Sequence, residues 1–575
     1  MPDDPATPGA RRALLLTCSL GTLPGAEHSV DTMAEHLRAR GFVCRVLRDA
    51  DTTRAGVEDA LRVLAEQTGE RDAVVIYYAG HGYARAIDLP GGRTACAFVL
   101  ATADMGDSTS ADFRGIVDIE LRGWLRAVAS RTANIAVVLD CCHAAGIVAG
   151  GGEQVSGAAL EAMRAALGKC VEDARRSGSR RGVDDLVYVV SSASSEIANE
   201  TKDRHGRPIY AFTDRLVRTL EQVADAPMSW DEVVFAATAQ LAPVDAIQRP
   251  GVGGRRWRRI FGFDDLERRS WLGAVTDEQT IELRGGSATT LAVGDRLLVE
   301  PLILGAHTAM VAVVTEVEAL RAVLARPPGP VSELPVVRAT RLGRARPPVV
   351  GWSGEIDPAL RYALEAAQFT MVEGAPADAI ATLRHDGGLA LFEGEERVAQ
   401  WPAGTTDIIA VQAWLSRIEA CQVLANCGLA ATSPAFRVEV MLDDAVPADG
   451  EALAVGARLR VRVHNDDRHH ALYFAVYRLT AQRAIELLAR CTAQGLCALP
   501  RKYADCSDLQ LSWPATLDRT PGARGETIVV LASHDSLLGI HEVAHDGPTL
   551  RGRAGSRVRT VLWRYRLSPG APVTA

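Results

Sequence analysis

Two short segments place a thiol and an imidazole at the ends of apolar runs. In AVVIYYAGHG the run ends at Gly80, His81 and Gly82. In IAVVLDCCHAAG a second run ends at Asp140, Cys141, Cys142 and His143. A thiolate is a strong nucleophile, and a nearby imidazole helps to generate it or protonates a leaving amine. Glycines beside His81 let a substrate backbone approach closely and leave N–H groups for an oxyanion. A buried cysteine is usually a small hydrophobe, and a lone strand-end histidine is usually structural. The two together, at matching strand ends, carry the catalytic reading.

The elements that must position these residues alternate along the first 265 residues. Leu14 to Cys18 is an apolar run, and Val30, Met33, Ala34 and Leu37 follow at helical spacing before Gly41. Phe42 to Leu47 reads as a strand, and a second amphipathic helix follows Thr52 and Thr53. Ala73 to Ala79 is apolar throughout, as a strand covered on both faces should be. Leu121, Trp124, Leu125 and Val128 mark a third helix. Ile135 to Leu139 and Leu186 to Val190 are further buried strands, and Arg215 to Val223 and Asp231 to Leu241 read as helices. Arg256 to Phe263 is expected to close the sheet. This order predicts an α/β fold, a mostly parallel sheet flanked by helices. Ligands then bind outside the carboxyl ends of the strands.

YYAGHG followed by LDCCHAAG resembles the caspase-like cysteine peptidases, specifically the metacaspase and prokaryotic branch. The likeness extends to GAEHSVDTMAEHLRARGF and SSASSEIANE and spans about residues 11–263. It implies Cys142 as nucleophile, with Cys141 at a variable position, and His81 as the catalytic histidine. It implies oxyanion donors at the N–H groups of Gly82 and Cys142. Asp140 would be the acidic residue of the pocket receiving the side chain before the scissile bond, selecting Arg or Lys. Relatives in prokaryotes are linked to stress-triggered death or antiviral defence. The expected partners are protein substrates, with an activating protease or regulatory protein acting through the C-terminal domains.

Departures from the family pattern are Ser29, where metacaspases usually carry Asp, Ala79 before the Gly-His, and Ala145 where a Gly closes the nucleophile motif. No cofactor is read from the residues. The family likeness raises calcium dependence, yet no loop has the regular oxygen-ligand spacing of a calcium site. About forty-five residues separate Cys142 from Leu186, long for a connection within a sheet. This stretch holds GIVAGGGEQVSG, a helix expected around residues 158–174, and RRSGSRRGVDD. Arg175, Arg176, Arg180 and Arg181 there are candidate processing positions of a zymogen, since exposed small-residue loops are where chains are nicked.

Downstream, the chain divides into a small β domain (270–345), a mixed α/β segment (350–430) and a β-sandwich-like accessory domain (435–570), after a peptidase domain at 11–265. HEVAH at His541 to His545 is a literal zinc-protease motif. Gly547 and Pro548 would stop a helix at once, and no third ligand follows. Cys141, Cys142 and His143 could bind metal, but three consecutive residues rarely converge on one centre. A catalytically idle caspase fold acting as sensor or scaffold is the rival from another class.

Composition sets outer bounds. The 575 residues are 47% hydrophobic and 23% charged, ordinary for globular proteins. A net charge of −8 gives no basic field for nucleic acid or an anionic membrane. Only three residues are Lys, so arginine clusters follow composition, and Arg255, Arg256, Arg258 and Arg259 read as a solvated strand edge. The 11 cysteines show no repeated spacing, which points to a reducing cytoplasm. Asp3 and Asp4 are wrong for a signal peptide, and no later run reaches the ~20 apolar residues of a spanning helix.

Overall fold

The structure is a computed structural model that describes residues 9–89, 93–109, 111–142, 186–192, 197–223, 226–241, 248, 250–266, 270–277, 280–284, 290–302, 309–318, 321–325, 336–385, 388–402, 407–426, 434–442, 445–447, 450–454, 457–469, 472–488, 496–498, 503–510, 524–533 and 559–568. Contacts divide the chain into two compact units, Met1–Arg268 with Leu302–Gly305, and Arg269–Pro301 with Ala306–Ala575.

The first unit is built on a six-stranded sheet. Its members are β1 (Arg11–Cys18), β2 (Val43–Arg48), β3 (Ala73–Gly80), β7 (Ile135–Cys141), β8 (Val187–Val190) and β11 (Gly251–Gly254), in the order β11-β8-β7-β3-β1-β2. All pairings are parallel except that of β11 with β8. Every residue of β3 and of β7 is buried, which is why both read as continuous apolar runs. Each fully buried Val, Leu or Ile there contributes roughly 1.5–3 kcal/mol.

Helices cover the sheet: α1 (Pro24–Ala39), α2 (Arg54–Gln67), α3 (Asp118–Ala129), α4 (Ala211–Val223) and α5 (Trp230–Leu241). Pro24 opens α1, where its missing N–H costs nothing. Thr53 caps α2, its hydroxyl accepting the Gly56 N–H at 3.1 Å. The buried stripe Val30, Met33, Ala34 and Leu37 of α1 is the one its spacing predicts. This α/β layering is the fold class expected from the sequence, with β-rich regions downstream.

Two elements were not anticipated. A three-stranded sheet, β4 (Gly82–Leu89), β5 (Arg93–Leu100) and β6 (Ile116–Val117), begins one residue past His81. A hairpin, β9 (Glu200–Lys202) with β10 (Pro208–Tyr210), docks on the start of α1. There Glu200 accepts the Gly25 N–H at 2.7 Å, and His28 pairs with Asp203 at 2.9 Å.

Two expectations are corrected. The closing strand is Gly251–Gly254, not Arg256 to Phe263, which runs through turns and single bridges. Gly254 has φ +68°, and a β-carbon there would sit 1.8 Å from the Leu186 carbonyl, so β11 must end in glycine. The arginine run is only in part a solvated edge: Arg259 is exposed and Arg255 half-exposed, while the other two are not. Arg256 and Arg258 are each 2% exposed. Arg256 lies over the Trp257 ring at 4.3 Å and 3.9 Å from Asp231, and Arg258 donates to the Ala133 carbonyl.

The second unit begins with a closed barrel of six strands lying between Ser270 and Gly343. Ile281, Leu283, Leu297, Val299, Val314 and Leu324 fill it. A five-stranded sheet follows between Val349 and Pro402, with helices α6 (Pro358–Ala366) and α7 (Ile408–Asn426). Contrary to the sequence expectation, α7 is long and apolar enough to cross a membrane by length and composition. It also packs Val411, Leu415 and Ile418 into the core of this sheet. From Phe436 to Ser568, sheets of three and six strands share a core that includes Val461, Phe474, Val530 and Tyr565.

Candidate active site

The parallel register of β3 with β7 sets Ala79 opposite Asp140 and Gly80 opposite Cys141. One residue further, both chains leave the strands, at His81 and at Cys142. Neighbouring strands lie ~4.8 Å apart, so the two candidate catalytic residues emerge side by side. Side chains alternate across a strand. Tyr77 and Ala79 therefore share one face with Asp140, and the position of Cys142 continues that face. Cys141 belongs to the opposite face with Tyr78 and is fully buried.

His81 is held chiefly by its backbone. Its N–H donates to the Cys18 carbonyl at 3.3 Å, and its carbonyl accepts from the Ala101 N–H at 3.0 Å and the Tyr78 hydroxyl at 2.8 Å. Its Nε2 shares a 2.7 Å hydrogen bond with Thr22 Oγ1, and its ring stacks on Tyr83 at 6.2 Å. The Thr22 hydroxyl is itself directed to the Ser19 carbonyl at 3.2 Å. With the Thr22 proton on the Ser19 carbonyl, Nε2 carries the ring proton and Nδ1 is the basic nitrogen; with the Thr22 proton on Nε2, the two roles exchange.

Gly82 pairs with Leu100, and the flanking bond runs from the Ala101 N–H to the His81 carbonyl. In an antiparallel ladder this makes Gly82 and Leu100 a pair that is not hydrogen-bonded, turning the Gly82 N–H away from β5.

The Cys142 sulfur accepts the Ala198 N–H at 3.3 Å. Burial pushes its thiol above the ordinary range, the Ala198 N–H partly opposes this, and Asp140 adds to the rise. Burial raises the Cys141 thiol well above its usual value, with Cys142 and Asp140 contributing. Asp140 is wholly buried, and its carboxyl is pushed up to about 6 by burial, against the pull of the Thr213 and Ser191 hydroxyls and the Thr213 N–H. Its Oδ2 accepts from Thr213 Oγ1 at 2.6 Å and from the Thr213 N–H at 3.2 Å. Its Oδ1 has no hydrogen bond of ordinary geometry.

Ser29 is buried beside this cluster, donating to the Gly25 carbonyl at 2.7 Å and accepting the Tyr210 N–H at 2.9 Å. The Tyr210 hydroxyl reaches the Gly80 carbonyl at 3.3 Å. Sequence reasoning missed Thr213, Tyr77, Tyr210 and Ala198. Only the alternation of Tyr77 and Tyr78 within β3 hinted that one tyrosine would share the face of Asp140.

His143, Ala145, the helix expected around 158–174, Arg175, Arg176, Arg180, Arg181 and the HEVAH segment at 541–545 lie outside the described residues. For calcium the described residues do not fit. None form a group of three or more His, Cys, Asp or Glu able to hold a metal. Asp104 accepts the Arg54 N–H at 3.0 Å, and Arg114 lies 4.0 Å from both Asp104 and Asp107.

Residues 10–252 match the family described as the caspase domain. Among solved structures, protein GSU0716 from Geobacter sulfurreducens is 20% identical, the match covering 45% of this chain and 100% of that one at a TM-score of 0.32. Dimeric latent PorU from Porphyromonas gingivalis is 7% identical, covering 97% of this chain and 55% of its own at a TM-score of 0.14. At these TM-scores neither likeness informs the chemistry of the site. No curated protein matches the chain. Residues 10–252, whose adjacent parallel strands β3 and β7 stop one residue before His81 and Cys142, thus match the caspase domain of a cysteine-peptidase family.

Proposed function

We propose that the caspase domain is an endopeptidase that cleaves proteins after Arg or Lys through Cys142 and His81. The observation that carries this reading is the face shared by Asp140 and Cys142 beside His81 at the neighbouring strand end. The basic ring nitrogen of His81 takes the thiol proton, and the sulfur attacks the scissile carbonyl carbon. The resulting oxyanion is received by the N–H groups of Gly82 and Cys142. Collapse breaks the C–N bond, the amine leaves with the proton from His81, and a thioester remains. Water, giving its proton to His81, then hydrolyses the thioester and restores the thiol.

Asp140 is the anchor for the basic side chain, since a buried carboxylate whose Oδ1 has no hydrogen bond of ordinary geometry, with only the Ser191 hydroxyl pulling on it besides Thr213, calls for a cation. The raised Cys142 thiol fits a resting zymogen, activated by cutting at Arg175, Arg176, Arg180 or Arg181. Stress, cell death or antiviral defence in a reducing cytoplasm is the setting we propose, and Cys18, Cys44, Cys142 and Cys421 are unbridged thiols. The C-terminal β-rich domains would receive the activating signal.

A fluorogenic peptide panel tests the reading. Hydrolysis after Arg and Lys, lost in Asp140→Asn, supports it. Preference for Asp before the scissile bond, or an unchanged profile in Asp140→Asn, rejects the anchor. No turnover together with no preferential alkylation at Cys142 identifies the idle fold. Inhibition by a zinc chelator but not by a thiol alkylator identifies the HEVAH motif instead.

A further inference from the structure

We infer that Thr213 is a positioning residue for substrate specificity: it fixes the rotation of the Asp140 carboxylate so that Oδ2 is committed to the protein and Oδ1 faces the substrate cation. The inference rests on Asp140 being the anchor for the basic side chain.

Both Thr213 bonds converge on one oxygen. The Thr213 hydroxyl and N–H reach Oδ2 at 2.6 and 3.2 Å, and Oδ1 receives neither. Thr213 is the third residue of α4, so its N–H is among the first four of the helix, which have no partner within it. The positive end of the helix dipole acts on the same oxygen. An ionised carboxylate only accepts, so the Thr213 proton points to Asp140. The Tyr77 hydroxyl, 2.6 Å from Thr213 Oγ1, must then donate to it. Tyr77, Thr213 and Asp140 form a chain of donors with one direction, and all three side chains are buried. Two bonds on one oxygen stop the carboxylate from turning, and a fixed acceptor binds a cation without first being ordered.

The titratable groups facing Asp140 are Tyr77 on β3, Cys141 at the end of β7, Cys142 one residue beyond it, and Tyr210 at the end of β10. Burial raises all four, so none of them ionises between pH 5 and 7. Asp140 is the member of this group that titrates in that range.

The test uses the full chain in wild-type, Thr213→Val, Thr213→Ser, Tyr77→Phe and Asp140→Asn forms, with Arg-containing fluorogenic peptides. Iodoacetamide labelling of Cys142 reports an intact site. Thr213→Val should raise KM for Arg peptides roughly ten- to hundredfold with a smaller change in kcat, the range for a bond to a charged group. Thr213→Ser keeps both donors and should restore KM to within about threefold. The acid limb of kcat/KM should move to higher pH in Thr213→Val, by more than the labelling limb of Cys142 moves. An unchanged KM in a labelled Thr213→Val variant, with Asp140→Asn impaired, overturns the inference while leaving the anchor intact. Wild type that hydrolyses peptides after residues other than Arg and Lys, and not after Arg, overturns the anchor itself. If Thr213→Val fails to label, Tyr77→Phe decides: a severalfold rise in Arg KM supports the relay, and an unchanged KM overturns it.

Discussion

Gly82 lies so close to Cys142 that a β-carbon on it would sit 2.3 Å from the Cys142 carbonyl oxygen and 3.0 Å from the Cys141 sulfur. That oxygen belongs to the backbone, so relief requires the ends of β3 and β7 to part. A misplacement of ~1 Å at reacting atoms costs about a hundredfold in rate. Gly82→Ala should therefore lower kcat/KM by about that factor. Gly106→Ala, where a β-carbon meets nothing within 4 Å, is the matched control and should leave it unchanged.

Cys142→Ala and His81→Ala should each abolish hydrolysis, while Cys141→Ala keeps most of it. The reason is the face each residue occupies: Cys141 lies on the face of β7 opposite to that of Asp140 and Cys142 and is fully buried. Steady-state rates on one Arg peptide, with circular dichroism to verify folding, settle the comparison. Equal loss at Cys141 would reverse the assignment.

Stability should depend on pH through His36. Its imidazole is pushed down to about 4 from 6.5 by burial, with Arg40 adding to the effect, and its Nε2 accepts the Arg40 Nε–H at 2.8 Å. Between pH 6.5 and 4 the unfolded chain binds more protons than the folded one. The stabilisation is thus complete above pH 6.5 and is lost as pH falls to about 4, on the order of 2 kcal/mol after screening. Urea titrations at steps across this window should show the slope, and His36→Gln should remove that share of it.

Processing has its own readout. Wild type alone, and Cys142→Ala when mixed with wild type, should yield new N-termini after residues between Arg175 and Arg181, whereas Cys142→Ala alone should stay intact. Changing Arg175, Arg176, Arg180 and Arg181 to Ala should erase them. Full activity from an uncut chain would refute the zymogen.

What the sequence disclosed, and what it concealed, depended on burial. Strands β1, β3 and β7 are covered on both faces, so their composition alone announced them. The loops after β3 and β7 were legible because glycine, histidine and cysteine are rare company at strand ends. The strand β11 was hidden because three of its four residues are Gly, a type depleted in strands. Arg256 and Arg258 after it were misread because aromatic contact and paired carboxylates bury them, which no periodicity shows. Thr213 and Ala198 were invisible for a different reason: each acts partly through its backbone N–H, and every non-proline residue has one.

The pairing of β11 with β8 has a consequence for assembly. An unpaired strand edge is a template on which another chain can continue the sheet. Here the edge beyond β8 is taken by the protein's own glycine strand, and Gly251, Val252 and Gly253 are buried. The opposite edge is β2, which carries Arg45 and Arg48 and leaves Val43 71% exposed. Arg48 is paired with Asp31 at 2.6 Å and Arg45 lies 3.9 Å from Asp59, so a second copy laid along β2 would have to displace or desolvate these ion pairs. Growth of the sheet from one molecule into the next is thus blocked on one flank by the chain itself and opposed on the other by the cost of burying charged pairs.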